Sequence, residues 1–257
     1  MPKVEEYGKA QEALDKLNKE LPERLKKSIL QEAISGHFVP QDPNDEPASV
    51  LLDKIRAEKK RLVKEGKLKK KDLEEIPIPE DQIPFDIPDS WEWKRLADIG
   101  ITETGTTPSK SHPEYFGDYI PFLGPANIYG GKVTSETQGL SVLGIHYGRI
   151  VPSNSVLQVC IGGSIGKCAI VDKPVTFNQQ INSITPIECD VKYVYFTLQT
   201  DFFRLSIKEK STGTATPIIN RGNWEQLLIP LPPLAEQKRI VAKIVELFKE
   251  VDSLQQP

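Results

Sequence analysis

Apolar residues in the first 75 positions recur at the spacing of a helix face. Leu14, Leu17, Leu21, Leu25 and Ile29 follow one another at steps of three and four. Pro22 stands inside this run, so a helix is expected to restart there, where a first-turn proline loses no hydrogen bond. Gly36 is the predicted stop. The pattern predicts a second helix from near Ser49, with Leu51, Leu52, Ile55 and Leu62 inward and Gly66 after its end. The polar, proline-rich stretch 37–49 between them is a loop. Residues 76–90 carry Pro77, Pro79, Pro84 and Pro88, a spacing that forbids both a helix and a central strand and predicts an extended linker.

The pattern changes after that linker. SVLQVCI (155–161), CAIVDKPVTF (168–177) and INSITPI (181–187) are β-rich runs separated by glycine, proline and asparagine turns. A helix is predicted over 191–210. In the last segment Ile240, Ile244, Leu247, Val251 and Leu254 alternate by four and three, the seam of a coiled coil. Val241, Val245 and Phe248 add a second stripe beside it, so this helix must face more than one neighbour, the first-zone helices being the candidates. The reading is therefore α+β: one globular mixed α/β domain flanked by long helices that form an antiparallel coiled coil. Its parts are a helical region 1–75, a linker 76–90, a domain over 84–230 and a terminal coiled-coil helix 231–257.

Composition adds limits. The chain has 257 residues, 38% hydrophobic and 27% charged, which suits a globular protein. A net charge of -3 means that any nucleic-acid binding needs a local basic patch or help from partners. Cys160, Cys168 and Cys189 form no C-x-x-C pair and read as free thiols of a reducing cytoplasm. No apolar run approaches the roughly 18–20 residues that cross a bilayer, and the polar N-terminus carries no signal-peptide core. A cytoplasmic protein without membrane contact is expected.

Catalytic motifs are missing. GGSIGK (162–167) follows a β run, but a phosphate loop needs glycine at Ile161 and Ser or Thr at Cys168, so a tight turn is expected. His37, His112 and His146 lack metal-ligand spacing. The basic run from Lys54 to Lys71 reads either as a solvated helix face or as a contact for phosphate or an acidic partner. Two loops, Gly105–Tyr119 and Ser211–Trp224, combine hydroxyls, amides, cations and aromatics, the groups that read base edges and hold phosphates; they are also ordinary turn residues.

Taken in order, these segments resemble the specificity subunit of type I restriction–modification systems. The resemblance rests on residues 23–62 (ERLKKSILQEAISGHFVPQDPNDEPASVLLDKIRAEKKRL), IPDSWEWKRLADI (87–99), GTTPSK, YFGDYIPFL, GSIGKCAIV and FNQQINSI, and most of all on STGTATPIINRGNWEQLLIPLPPLAEQKRIVAKIVELF (211–248). It implies a non-catalytic subunit whose target recognition domain reads one half of an interrupted site in double-stranded DNA. Helices would carry the methyltransferase subunits, which hold S-adenosylmethionine, while this chain binds no cofactor; a motor-nuclease subunit is the further partner. Family members carry two recognition domains where one is visible here, so a half-subunit pairing two-fold with a second copy is the implied homodimer.

On this reading the DNA-facing candidates are Thr106, Thr107, Ser109, Lys110, Tyr115, Asn127, Tyr129, Lys132, Thr214, Asn220 and Arg221. Leu25, Ile29, Leu51, Ile55, Ile240, Ile244, Leu247 and Val251 are the candidates for dimer and partner helices, and Trp91, Trp93, Phe122 and Trp224 for packing. A scaffold that binds methyltransferase subunits without reading DNA is the alternative.

Overall fold

The computed structural model describes residues 2–134, 138–213 and 215–254. Helix α1 (Pro2–Ala33) is continuous through Pro22, where a restart was expected. A proline inside a helix loses its own bond to the preceding turn and crowds the carbonyl four residues back, and the buried Pro22 is accommodated at that cost. Past Lys26 the helix packs on the rest of the chain, whereas Leu14, Leu17 and Leu21 stay 50%, 52% and 46% exposed.

Helix α2 (Ala48–Lys64) buries Leu51, Leu52, Ile55 and Leu62 as its periodicity demands. Their neighbours correct the expectation. Leu51 and Ile55 pack with Leu96, Ile99, Trp224 and Ile229 in the main core of the globular domain, and not on α1. An apolar face meets whichever apolar surface the chain brings to it, and the loop at 37–47 turns α2 onto the domain. Lys59 lies on the same face and donates to the Ala97 carbonyl.

The domain opens with β1 (Glu92–Arg95), the single turn α3 (Leu96–Ile99) and β2 (Gly100–Thr104). Short strands follow: β3 (Phe116–Gly117), β4 (Phe122–Leu123), β5 (Ile128–Tyr129), β6 (Lys132–Val133), β7 (Gly139–Leu140) and β8 (Ile150–Val151). The longer runs form β9 (Ser155–Val159), β10 (Cys168–Val171), β11 (Val175–Phe177) and β12 (Ile181–Pro186). Strands β10-β9-β12-β2 make an antiparallel sheet, and β4-β11-β8 a second, mixed one in which β4 and β11 run parallel. Alternation splits the central strand between two layers. Leu157 and Val159 face Phe177 and the second sheet, while Val156 faces the helices. Gln158, on the helical side, is fully buried and accepts the indole N–H of Trp224 at 2.7 Å.

The helix expected over 191–210 is two helices, α4 (Val191–Thr197) and α5 (Asp201–Lys210). Asp190 caps the first, and the Thr200 hydroxyl caps the second by accepting from the Phe203 N–H at 3.1 Å. The break lets the two aim apart. Tyr193 and Phe196 pack toward the terminal helix, and Phe203 and Ile207 enter the main core. Helix α6 (Arg221–Trp224) and strand β13 (Leu228–Leu231), antiparallel to β1, close the domain before α7 (Leu234–Ser253).

Helices α1 and α7 share an apolar seam and run antiparallel. Leu30 and Ala33 join Ile240, Val241 and Ile244, with Ile29 and Phe248 at the margin. Lys26 pairs with Asp252 at 2.5 Å, at the opposite end of α7 from the Arg239–Asp45 pair. Val251 is buried, whereas Leu25 and Leu247 are half-buried. The second stripe of α7 meets α4, where Phe196 and Phe248 contact edge to face. No helix among the described residues is long and apolar enough to cross a membrane.

Candidate nucleic-acid interface

Antiparallel register gathers distant loops at one end of the four-stranded sheet. Thr104 at the end of β2 pairs with Asn182 near the start of β12, and Gln158 near the end of β9 pairs with both Asn182 and Cys168. Loops 105–119, 160–167 and 178–180 therefore leave from one side. The segment before α6 joins them: Gly162 donates to the Pro217 carbonyl at 3.0 Å, and Ile219 to the Cys160 carbonyl at 2.9 Å. The two loops singled out for their composition, about a hundred residues apart in the chain, lie together.

Short hydrogen bonds hold the first loop. A Cβ on Gly105 would stand 2.1 Å from the Asn178 carbonyl oxygen, so this backbone approach admits only glycine. The Thr106 hydroxyl donates to the Tyr147 carbonyl at 3.1 Å and that of Thr107 to Gln179 Oε1 at 2.5 Å. Ser109 and Ser111 share a hydrogen bond, and Lys110 extends into solvent. His112, Tyr115 and Tyr147 form a ladder of stacked rings with centroids 4.8 and 4.2 Å apart. The hydrogen bond with Tyr147 pushes the Tyr115 phenol up to about 12, so it stays protonated at neutral pH.

Five other described candidates sit differently. Asn127 is buried: its Oδ1 accepts from the Gly124 N–H and its Nδ2 donates to the Thr134 carbonyl, which makes it a turn-former and corrects its assignment to DNA. Asn220 caps α6 through the Asn223 N–H, and Arg221 donates to the Thr102 carbonyl at 2.8 Å, tying α6 to the open edge of β2. Thr214 lies outside the described residues. Tyr129, 78% exposed, and Lys132 project from the β5–β6 hairpin, which packs beside β10 at the edge opposite β2. Three inter-strand spacings separate those edges, roughly 14 Å.

Tyr147, Gln179 and Arg149, which pairs with Glu103 at 3.0 Å, are members of this surface that the sequence reading missed. Gln179 lies in the FNQQINSI run, and only the hydrogen bond that sets it against Thr107 reveals its place on this surface. The thiols of Cys160 and Cys168 are pushed up to about 12 by burial and take no part. Among the described residues no group of His, Cys, Asp and Glu gathers as metal ligands.

A sheet end bearing hydroxyls, amides, stacked rings and an exposed lysine, mounted on a helix pair, defines a binding module. Comparison with known proteins carries this further. Residues 88–256 match the family described as the type I restriction modification DNA specificity domain. The chain is 34% identical over 248 residues to the EcoAI specificity subunit of Escherichia coli, covering 90% of this chain and 40% of that one. It is 32% identical over 169 residues to the HindI specificity subunit of Haemophilus influenzae, covering 64% and 37%. The crystal structure of the HsdS subunit from Thermoanaerobacter tengcongensis aligns with a TM-score of 0.55 at 19% identity, over 95% of this chain and 50% of that one. This protein belongs to the type I restriction–modification DNA specificity family. It spans about 40% of the length of the first two curated relatives.

Proposed function

We propose that this chain is the DNA-reading component of a type I restriction–modification complex, working in the cytoplasm and performing no chemistry itself. Its recognition domain reads one half of an interrupted duplex site through the loops 105–119, 178–180 and 211–220. The observation that carries this reading is their convergence on one sheet end through Gly162–Pro217 and Thr107–Gln179. The methyltransferase subunits hold S-adenosylmethionine and make the methyl transfer, and a motor-nuclease subunit cuts. Helices α1 and α7 carry those partners and set the half-site separation. The exposed Leu14–Leu17–Leu21 stripe on α1 suits two-fold pairing with a second copy, which would make the site palindromic.

That same stripe favours a second reading, a scaffold that engages partner subunits without reading DNA. A duplex-shift titration in the presence of the methyltransferase subunit separates the two. Sequence-specific retention is expected, and Lys110→Ala should weaken it. Equal affinity for any duplex supports the scaffold, and unchanged binding by Lys110→Ala across a salt series removes that lysine from the interface.

A further inference from the structure

A group of exposed cations lies together away from the first loop. A cleft of about 280 Å³ opens between α1 and the β10 edge of the recognition domain. Lys26 and Lys27 line it from the helix, Lys167 from the GGSIGK turn and Arg204 from α5, against one lining carboxylate, Glu23. Asp252 already engages Lys26. Among the described residues no ion pair engages Lys27, Lys167 or Arg204, and all three are exposed. The β5–β6 hairpin forms the remaining wall. Its tip is held against α4, since a Cβ on Gly131 would stand 2.0 Å from the Tyr195 hydroxyl oxygen. The exposed Tyr129 ring stands beside the cations.

We propose that this cleft is a second seat for the DNA backbone, in which Lys27, Lys167 and Arg204 hold phosphodiester oxygens of the duplex whose bases the loop end reads. The inference rests on the function proposed above and extends it to the helix that carries the domain. Three features favour phosphate over an acidic protein surface. Lys167 lies at the start of β10, on the same sheet end as the recognition loops. The edges of that sheet stand roughly 14 Å apart, about four base pairs at 3.4 Å each, so one duplex spans both. An exposed aromatic ring interleaved with cations is the composition of nucleic-acid tracks. The GGSIGK turn thus contributes a lysine to phosphate binding without being a nucleotide loop. Contacts of this kind position the duplex and carry no sequence information.

The test uses the full chain assembled with its methyltransferase subunits and titrates a duplex bearing the methylated site and a scrambled duplex across a salt series. Lys27→Ala combined with Arg204→Ala is expected to flatten the slope of log affinity on log salt by about 1.8, at about 0.9 per lost phosphate contact. Both duplexes should weaken about equally, by roughly tenfold or more at low salt, and the methylated sequence should stay the same. Lys27→Arg should retain binding, and Glu23→Gln should tighten it. An unchanged slope, with Lys110→Ala still weakening binding, overturns the cleft and leaves the recognition reading standing. Loss of methyltransferase assembly without DNA also overturns it, by making the cleft a protein seat. Absence of specific binding by the unaltered complex defeats both.

Discussion

Trp91 donates its indole N–H to Glu236 Oε2 at 2.9 Å, and Gln41 donates to the other oxygen, so one buried carboxylate joins the 37–47 loop, the start of the domain and α7. Burial raises the Glu236 carboxyl above its ordinary value, and these two donors partly offset that. A carboxyl raised in the folded state stabilises below its unfolded pKa and loses that contribution as pH rises through the folded value. Trp91→Phe removes one donor and raises it further. Its cost should be about 1–3 kcal/mol and larger at pH 8 than at pH 5, measured by urea unfolding at both; an equal cost at both would show that the ring, not the N–H, matters. Gly105→Ala forces the recognition loop off Asn178, so DNA affinity should fall while the melting temperature shifts little. Loss of fold with the affinity would make Gly105 a core residue instead. At this scale the sequence was legible for residue type and not for role. An asparagine among glycines and prolines reads bases or caps turns with the same amide, and Asn127 does the second.

Periodicity revealed the elements better than their company. Apolar steps of three and four located α2 and α7, and the β-rich runs located β9 to β12, because those patterns arise within one element. The partner of α2 was hidden, since Leu51 and Ile55 make the same inward stripe whether they meet a coiled coil or a sheet. Their burial in the domain core has a consequence: Ile55→Ala should cost about 2–5 kcal/mol in the isolated chain. Normal stability with lost subunit assembly would return α2 to the partner helices. Ile244→Ala should cost a similar amount by opening the α1–α7 seam. The break between α4 and α5 was concealed because Thr200 is an ordinary helix residue until its hydroxyl is seen on the Phe203 N–H.

Across the whole molecule, the separation of tasks follows from topology. One sheet end faces outward with its loops, one sheet face packs against α2, α4, α5 and α6, and the helix pair leaves from the side where Trp91 is clamped. Changes in the loops should therefore alter which bases are chosen, and changes on the Leu14–Leu17–Leu21 stripe of α1 should alter partner attachment or spacing. Mapping methylated sites in cells that express this protein with its methyltransferase partner tests this most directly, using the unaltered chain beside one whose 105–119 loop is replaced by the equivalent loop of a relative. The unaltered chain should direct methylation to a single interrupted motif, and the exchanged loop should change bases within a half-site and leave the spacer length alone. The same motif from both chains, or methylation without sequence preference, would contradict base reading by this end of the sheet.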